Sequence, residues 1–469
     1  MQRISSLAVL AATFFGATAL ASPAKVTIES GTLVGDAADG VRSFKGVPFA
    51  KAPLGKLRWA PPQTPDQWQG ERDATKYQLP CVQPTDPDGK TPNGGGVWGK
   101  TSEDCLYLNV FGPATAQNAP VMVWLHGGAS FLGGAHLGGY NGESFAKQGV
   151  VTVTVNYRLG TIGYFAHPAL TKSAPRDEWL ANYGLMDAVA SLQWVKRNIA
   201  KFGGDPANVT VFGQSAGGAM VMGLLSTPSA KGLFAKAGVQ SGASLRPPVP
   251  LAEAEQSGIE LATKLGLPGE RATLAQLRAI PAEKLAGDRD TARMFVSPID
   301  GRFRTKATVD AFADGSATYV PLFIGSNNGE GGFDAARKVA ALMSAKAPAF
   351  LYQFAYVPEW RKPAQPQGAP HSAEIVYVFD SWKYSSAGDP RVNETDRKVA
   401  QRINSCWVAF AKAPVGATSL TCAEGFNWPS YADASDQAAV FRDKPEIVKS
   451  KTLPNGPPAG APRGSMAPD

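Results

Sequence analysis

The sequence predicts an α/β protein: a large, mostly parallel central sheet with helices on both faces and an antiparallel hairpin at its N-terminal end. Three observations carry that expectation. Residues 121–125 are five apolar positions with no polar alternation, as a strand covered on both faces requires. Between 184 and 200, Leu185, Val189, Leu192, Val195 and Ile199 fall on one helical face, and Gly203 and Gly204 stop the pattern. Strand-like and helix-like stretches then alternate along the chain, the order that a parallel sheet with crossover helices produces.

Taken in order, the chain opens with one early charge (Arg3), an apolar run and the small-x-small triplet Ala19, Leu20, Ala21. This reads as a signal peptide over 1–21, cut after Ala21, so it is excluded from the fold, and export to periplasm or medium follows. The run is short for a membrane span, and no later stretch is apolar enough for one. Val26, Ile28, Leu33, Val41 and Phe44, punctuated by Gly31 and Gly35, predict the hairpin within 25–44. Pro48, Pro53, Pro61 and Pro62 exclude regular structure next, giving a long surface loop. A Gly/Pro/Asp-rich excursion over 86–99, carrying Trp98, lies between Cys81 and Cys105. After the strand at 121–125 come His126, Gly127, Gly128, Ala129 and Ser130, a strand at 150–157 and the helix at 184–200. Further strands are expected at 237–239, 320–324 and 350–356, with helices at 252–265 and 394–412. One domain over 22–440 is expected, followed by a Pro/Gly-rich tail over 441–469 without order.

A chain of 469 residues with 44% hydrophobic content can bury a large core. Its net charge of +7 is spread thinly, with no Lys/Arg stripe interleaved with aromatics, which argues against a nucleic-acid partner. Four cysteines in an exported chain imply two disulfides from three possible pairings. Proximity favours Cys81 with Cys105 and Cys406 with Cys422.

The chemistry centres on 202–218. A short β-run (Val209, Val211, Phe212) turns sharply at Gly213, Gln214, Ser215, Ala216 and Gly217 into an apolar helix with Met220, Leu224 and Leu225. Serine in Gly-x-Ser-x-Gly between strand and helix is a nucleophile elbow, with Oγ pushed out above the sheet edge. A serine hydroxyl needs a histidine to take its proton and an acid to orient that histidine. In α/β-hydrolases the acid and then the histidine follow the serine, and of His126, His136, His167 and His371 only His371 does so. Glu330 is the favoured acid, because it follows the strand at 320–324 through a short Ser/Asn/Gly loop and so lies at the carboxyl edge of the sheet. Asp300 in the turn SPIDGR is the runner-up. Backbone N–H groups of Ala216, Gly128 and Ala129 are the candidate oxyanion donors. This chemistry requires no metal or organic cofactor.

These motifs resemble those of the type-B carboxylesterases, the α/β-hydrolase family that includes cholinesterases and bacterial para-nitrobenzyl esterases. The serine signature is matched from Phe202 to Gly217, and a second signature by Glu103, Asp104, Cys105, Leu106, Tyr107, Leu108, Asn109 and Val110. NYRLG (156–160), NYGLMD (182–187) and WPSY (428–431) also match family landmarks, so the similarity covers roughly 25–435. The resemblance implies an α/β-hydrolase fold and a secreted serine esterase. It carries the triad onto Ser215, Glu330 and His371, the oxyanion donors onto Gly128, Ala129 and Ala216, and the N-terminal disulfide onto Cys81 and Cys105. Small esters are the implied partners.

Three departures qualify it. Gln214 stands where cholinesterases carry glutamate, which argues against choline esters. Ala129 stands where many members have a third glycine, and its Cβ disfavours esters of bulky tertiary alcohols. The connection from Glu330 to His371 is shorter than the family norm, so a shallower, more open site that accepts bulky esters is expected. Two other readings fit the same residues: a non-catalytic adhesion relative or crippled enzyme, and a lipase acting at interfaces.

Overall fold

A computed structural model describes residues 22–86, 88–175, 178–385 and 390–457. The expected signal peptide and residues 458–469 of the expected tail lie outside the described residues. Strands β1 (Ser22–Ile28), β2 (Gly31–Ala38) and β3 (Val41–Pro48) form an antiparallel ladder, with the short β4 (Glu71–Asp73) beside β2. The N-terminal hairpin is thus a three-stranded meander. Its second turn holds Asp39 and Gly40 at φ 49° and 75°, the left-handed pair that a tight hairpin turn requires. Next come β5 (Tyr107–Pro113), β6 (Ala119–Leu125), β7 (Val151–Val155), β8 (Gly204–Gln214), β9 (Lys236–Gln240), β10 (Leu322–Asn327) and β11 (Ala349–Phe354). Strands β12 (Ser419–Thr421) and β13 (Asn427–Pro429) make a separate ribbon, and β14 (Gln437–Phe441) and β15 (Glu446–Lys449) return to the main sheet.

In space β7, β6, β8, β9, β10, β11 and β14 lie side by side and parallel, flanked by antiparallel strands at both ends. The long helices are α1 (Tyr183–Asn198), α2 (Ala216–Ser226), α3 (Leu251–Lys264), α5 (Phe333–Ser344) and α6 (Glu394–Lys412), with a short α4 (Arg289–Arg293) between α3 and α5. The period-2 rule explains the two cores. Along β6, Val121, Val123 and Leu125 join one cluster with Val209 and Val211, whereas Met122 and Trp124 join the opposite one with Phe212 and Phe323. Each of these fully buried large side chains contributes about 1.5–3 kcal/mol by leaving water.

Two expectations need correction. The Pro-rich segment after β3 is not a plain surface loop: Trp59 is 1% exposed, stacks on Phe165 and donates its indole N–H to Thr161 O at 3.0 Å. Prolines forbid regular structure there, but they do not keep an aromatic ring in water. The tail begins later than residue 441. Ile447 and Val448 pair with Ala439 and Ala438 in the sheet, Pro454 O accepts from Gln353 Nε2 at 2.9 Å, and Asn455 Oδ1 accepts from Asp334 N at 2.8 Å. The Pro/Gly-rich composition starts only at Pro454, after an ordinary edge strand. Both disulfides formed are those that proximity favours, Cys81–Cys105 and Cys406–Cys422.

Candidate active site

The strand order fixes where a site can form. From β6 the chain crosses to β7 on one side and returns to β8 on the other, so a crevice opens beyond the carboxyl ends of β6 and β8. Ser215 ends β8 there, with φ 55° and ψ −121°, a conformation a residue with a Cβ rarely adopts. The flanking glycines permit it. A Cβ at Gly213 would sit 2.5 Å from Gly217 C, and one at Gly217 would sit 1.9 Å from Leu125 O. The elbow therefore packs directly on the end of β6.

Ser215 Oγ lies 2.8 Å from His371 Nε2, and His371 Nδ1 makes a short hydrogen bond to Glu330 Oε2. Glu330 Oε1 accepts from Ser241 Oγ at 2.5 Å and from Asn327 N at 2.8 Å, so both carboxylate oxygens are held. Sequence-distant loops are joined to bring these groups together. Gly329 N donates to Ala369 O at 2.9 Å, Ala369 N to Asn328 Oδ1 at 2.8 Å, and Asn327 Nδ2 to Pro370 O at 2.6 Å. Asp300, the other acid considered, is elsewhere: its carboxylate accepts from Asn182 Nδ2 and from the backbone N–H groups of Arg302, Phe303 and Arg304.

Burial of the His371 ring works against its protonation. The hydrogen bond to Glu330 and the charges of Glu330 and Glu374 outweigh this and hold the imidazole above the ordinary histidine value. Two of the other histidines serve as braces. Buried His126, pushed down to about 4 mainly by desolvation, stays neutral; it stacks on Tyr157 and accepts from Tyr157 Oη through its carbonyl at 2.5 Å. His167 caps the helix Pro168–Ser173.

After β6, Gly128, Ala129 and Ser130 have φ of 111°, 52° and 64°, three successive left-handed residues. The turn's own bonds run from Phe131 N and Leu132 N to Gly128 O, leaving the N–H groups of Gly128 and Ala129 out of the turn. Ala216 opens α2, where an N–H has no partner within its helix. Among the described residues the N–H groups of Gly128, Ala129 and Ala216 make no hydrogen bond within the chain. Gln83, inside the Cys81–Cys105 loop, clamps this turn from outside, accepting from Gly133 N at 2.8 Å and donating to Gly133 O at 2.7 Å. Trp98 on the same loop is 60% exposed.

Gln214, inside the elbow motif, has its Nε2 3.3 Å from His371 Nε2. Other residues at the site had no motif to mark them. Glu374, fully buried three residues after His371, accepts from Asn327 Nδ2 at 2.7 Å and Gln240 Nε2 at 3.2 Å, while Gln240 Oε1 accepts from Trp407 Nε1. Burial first, then the neighbouring charge of Glu330, raises the Glu374 carboxyl above its usual range. The one available signal was a glutamate heading the apolar run Ile375, Val376, Tyr377, Val378.

A parallel sheet with an elbow serine, a histidine and a glutamate at its switch crevice defines the chain as an α/β-hydrolase. The carboxylesterase family model matches residues 22–341 and 333–455, two stretches that meet inside α5. The chain belongs to that family and is, at that level, a carboxylic ester hydrolase. It is 32% identical to the para-nitrobenzyl esterase of Bacillus subtilis (strain 168), over 91% of this chain and 98% of that protein. It is 38% identical to the fumonisin B1 esterase of Sphingopyxis macrogoltabida, over 65% of this chain and 55% of the other. A solved thermophilic para-nitrobenzyl esterase superposes with a TM-score of 0.80 at 31% identity, covering 91% of this chain and 98% of that one.

Proposed function

We propose that this chain is an exported serine carboxylesterase working through an acyl-enzyme on Ser215. His371 Nε2 takes the Ser215 proton as Oγ attacks the ester carbonyl, and Glu330 fixes the ring tautomer and stabilises the imidazolium. The N–H groups of Gly128, Ala129 and Ala216 take up the charge on the carbonyl oxygen. His371 then passes its proton to the departing alkoxide, the alcohol leaves, and water repeats the sequence to release the acid. The observation that carries this reading is the unbroken chain from Ser215 Oγ through both ring nitrogens of His371 to Glu330. Export is supported by the early apolar stretch and by two disulfides. Among the described residues no helix is long and apolar enough to cross a membrane.

The test is covalent labelling. A fluorophosphonate is expected to add once per chain, on Ser215 by peptide mass, and Ser215→Ala is expected to take up none. Labelling elsewhere, or none in the native chain, would point to a non-catalytic relative.

The pH dependence follows with a definite sign. His371 is a base only when neutral, and its partners raise its proton affinity, so activity is expected to fall with acidity through a midpoint above the ordinary ~6.5. Glu330→Gln removes the larger raising influence. Its kcat/KM profile is expected to have a lower acid midpoint and a lower plateau; an unmoved midpoint would remove Glu330 from its role.

An open site is the further reading. The connection from Glu330 to His371 consists of α5, β11 and a loop with one short helical turn, and the His371 side chain is 26% exposed. That supports acceptance of bulky esters.

A further inference from the structure

The wall beside the oxyanion turn carries two arginines on one short helix. Arg289 and Arg293, at the two ends of α4, place their guanidinium carbons 5.7 Å and 5.9 Å from the ring centroid of Phe131. Phe131 is two residues beyond Ala129, buried, and packed on Ala292.

Neither arginine is in an ion pair among the described residues. Asp288 caps α4 through Thr291 N at 2.9 Å with Lys264 close by, and Asp290, one residue from Arg289 and three from Arg293, bridges to neither. Like charges four residues apart on a helix repel, so the spacing of Arg289 and Arg293 does not itself stabilise α4.

Resting on the esterase reading above, we propose that Arg289 and Arg293 form an anion subsite, so that the preferred substrates are esters carrying a free carboxylate. A guanidinium offers a planar fork that matches a carboxylate with two hydrogen bonds, and the Phe131 face holds the fork in place without neutralising it. Reach is adequate. A Cβ at Gly127 would lie 3.2 Å from Ser215 Cβ. Phe131 is four residues further on, at most about 15 Å along the chain. The carboxylate belongs either to the acid part, as in a half-ester of a dicarboxylic acid, or to the alcohol part.

The experiment compares matched pairs on the full mature protein: a chromogenic dicarboxylic half-ester against the neutral monoacid ester of equal chain length, and an ester of a hydroxy-acid against its methylated form. The native enzyme is expected to favour the charged member of one pair by about tenfold or more in kcat/KM, less so at high salt. Which pair shows the preference identifies the carboxylate's place. In R289Q/R293Q, at two exposed positions, the charged substrate is expected to lose about 10–100-fold, chiefly in KM, with the neutral one within about twofold. Partial recovery in R289K/R293K supports a charge contact. Equal use of both members of both pairs by the native enzyme, or equal losses on both in R289Q/R293Q, overturns the subsite. Absence of turnover on every ester together with absence of fluorophosphonate labelling would instead overturn the esterase reading itself.

Discussion

Ser215→Ala is expected to lower kcat on a neutral ester by roughly 10⁴–10⁶-fold while leaving the fold intact. The hydroxyl is the attacking atom in the proposed reaction, and the remaining oxyanion donors and binding contacts retain only a residual acceleration over water. Ser215→Gly adds a second readout. The native serine is held at φ 55° and ψ −121°, a region open to glycine, so Ser215→Gly is expected to be inactive yet more stable, by about 1 kcal/mol. Ester hydrolysis by initial rates and urea unfolding monitored by fluorescence measure the two sides. An active Ser215→Ala enzyme ends the nucleophile assignment, and a Ser215→Gly protein less stable than the parent ends the claim that the elbow stores strain.

Breaking the ion pair of Arg158 and Asp187 is expected to cost about 3–5 kcal/mol of folding stability. Both side chains are wholly out of solvent. Arg158 N and Nε donate to Asp187 Oδ2 at 2.9 and 2.8 Å, Nη2 donates to Oδ1 at 2.7 Å, and Nη1 reaches Ala60 O at 2.9 Å. Asp187→Asn leaves a buried guanidinium facing an amide, and Arg158→Met leaves a buried carboxylate with one backbone N–H. Either is expected to shift the urea midpoint sharply, while Arg158→Met with Asp187→Leu recovers much of the loss, because two apolar groups leave no unpaired charge. Single variants within about 1 kcal/mol of the parent would show that the pair is dispensable.

That pair illustrates what was legible in the chain and what was not. Arg158 lies in NYRLG and Asp187 in NYGLMD, two stretches recognisable as family landmarks, but nothing in either string says that one grips the other. Glu103, in the signature around Cys105, is likewise paired across a distance: Arg58 donates to its two oxygens at 2.6 and 2.5 Å. Alternation and period placed six of the seven parallel strands and α6 within a few residues, because those patterns record which face of one element is buried. They missed the burial of Trp59, the parallel strand β14 and the edge strand β15, where exposure is set by neighbours far away in sequence.

By itself the sequence determined the class of fold, the elbow at Ser215 and a single histidine downstream of it. Each is a local matter: strand periodicity, a turn that needs glycine, and the order of residues along the chain. Only the tertiary structure put Glu330 rather than Asp300 beside His371 and revealed Glu374, Gln240, Asn327 and Gln83 around the site. It also set two arginines, Arg289 and Arg293, against Phe131. Such contacts join residues up to some hundreds of positions apart, and side-chain identity carries no record of a partner until the sheet brings its carboxyl edge together.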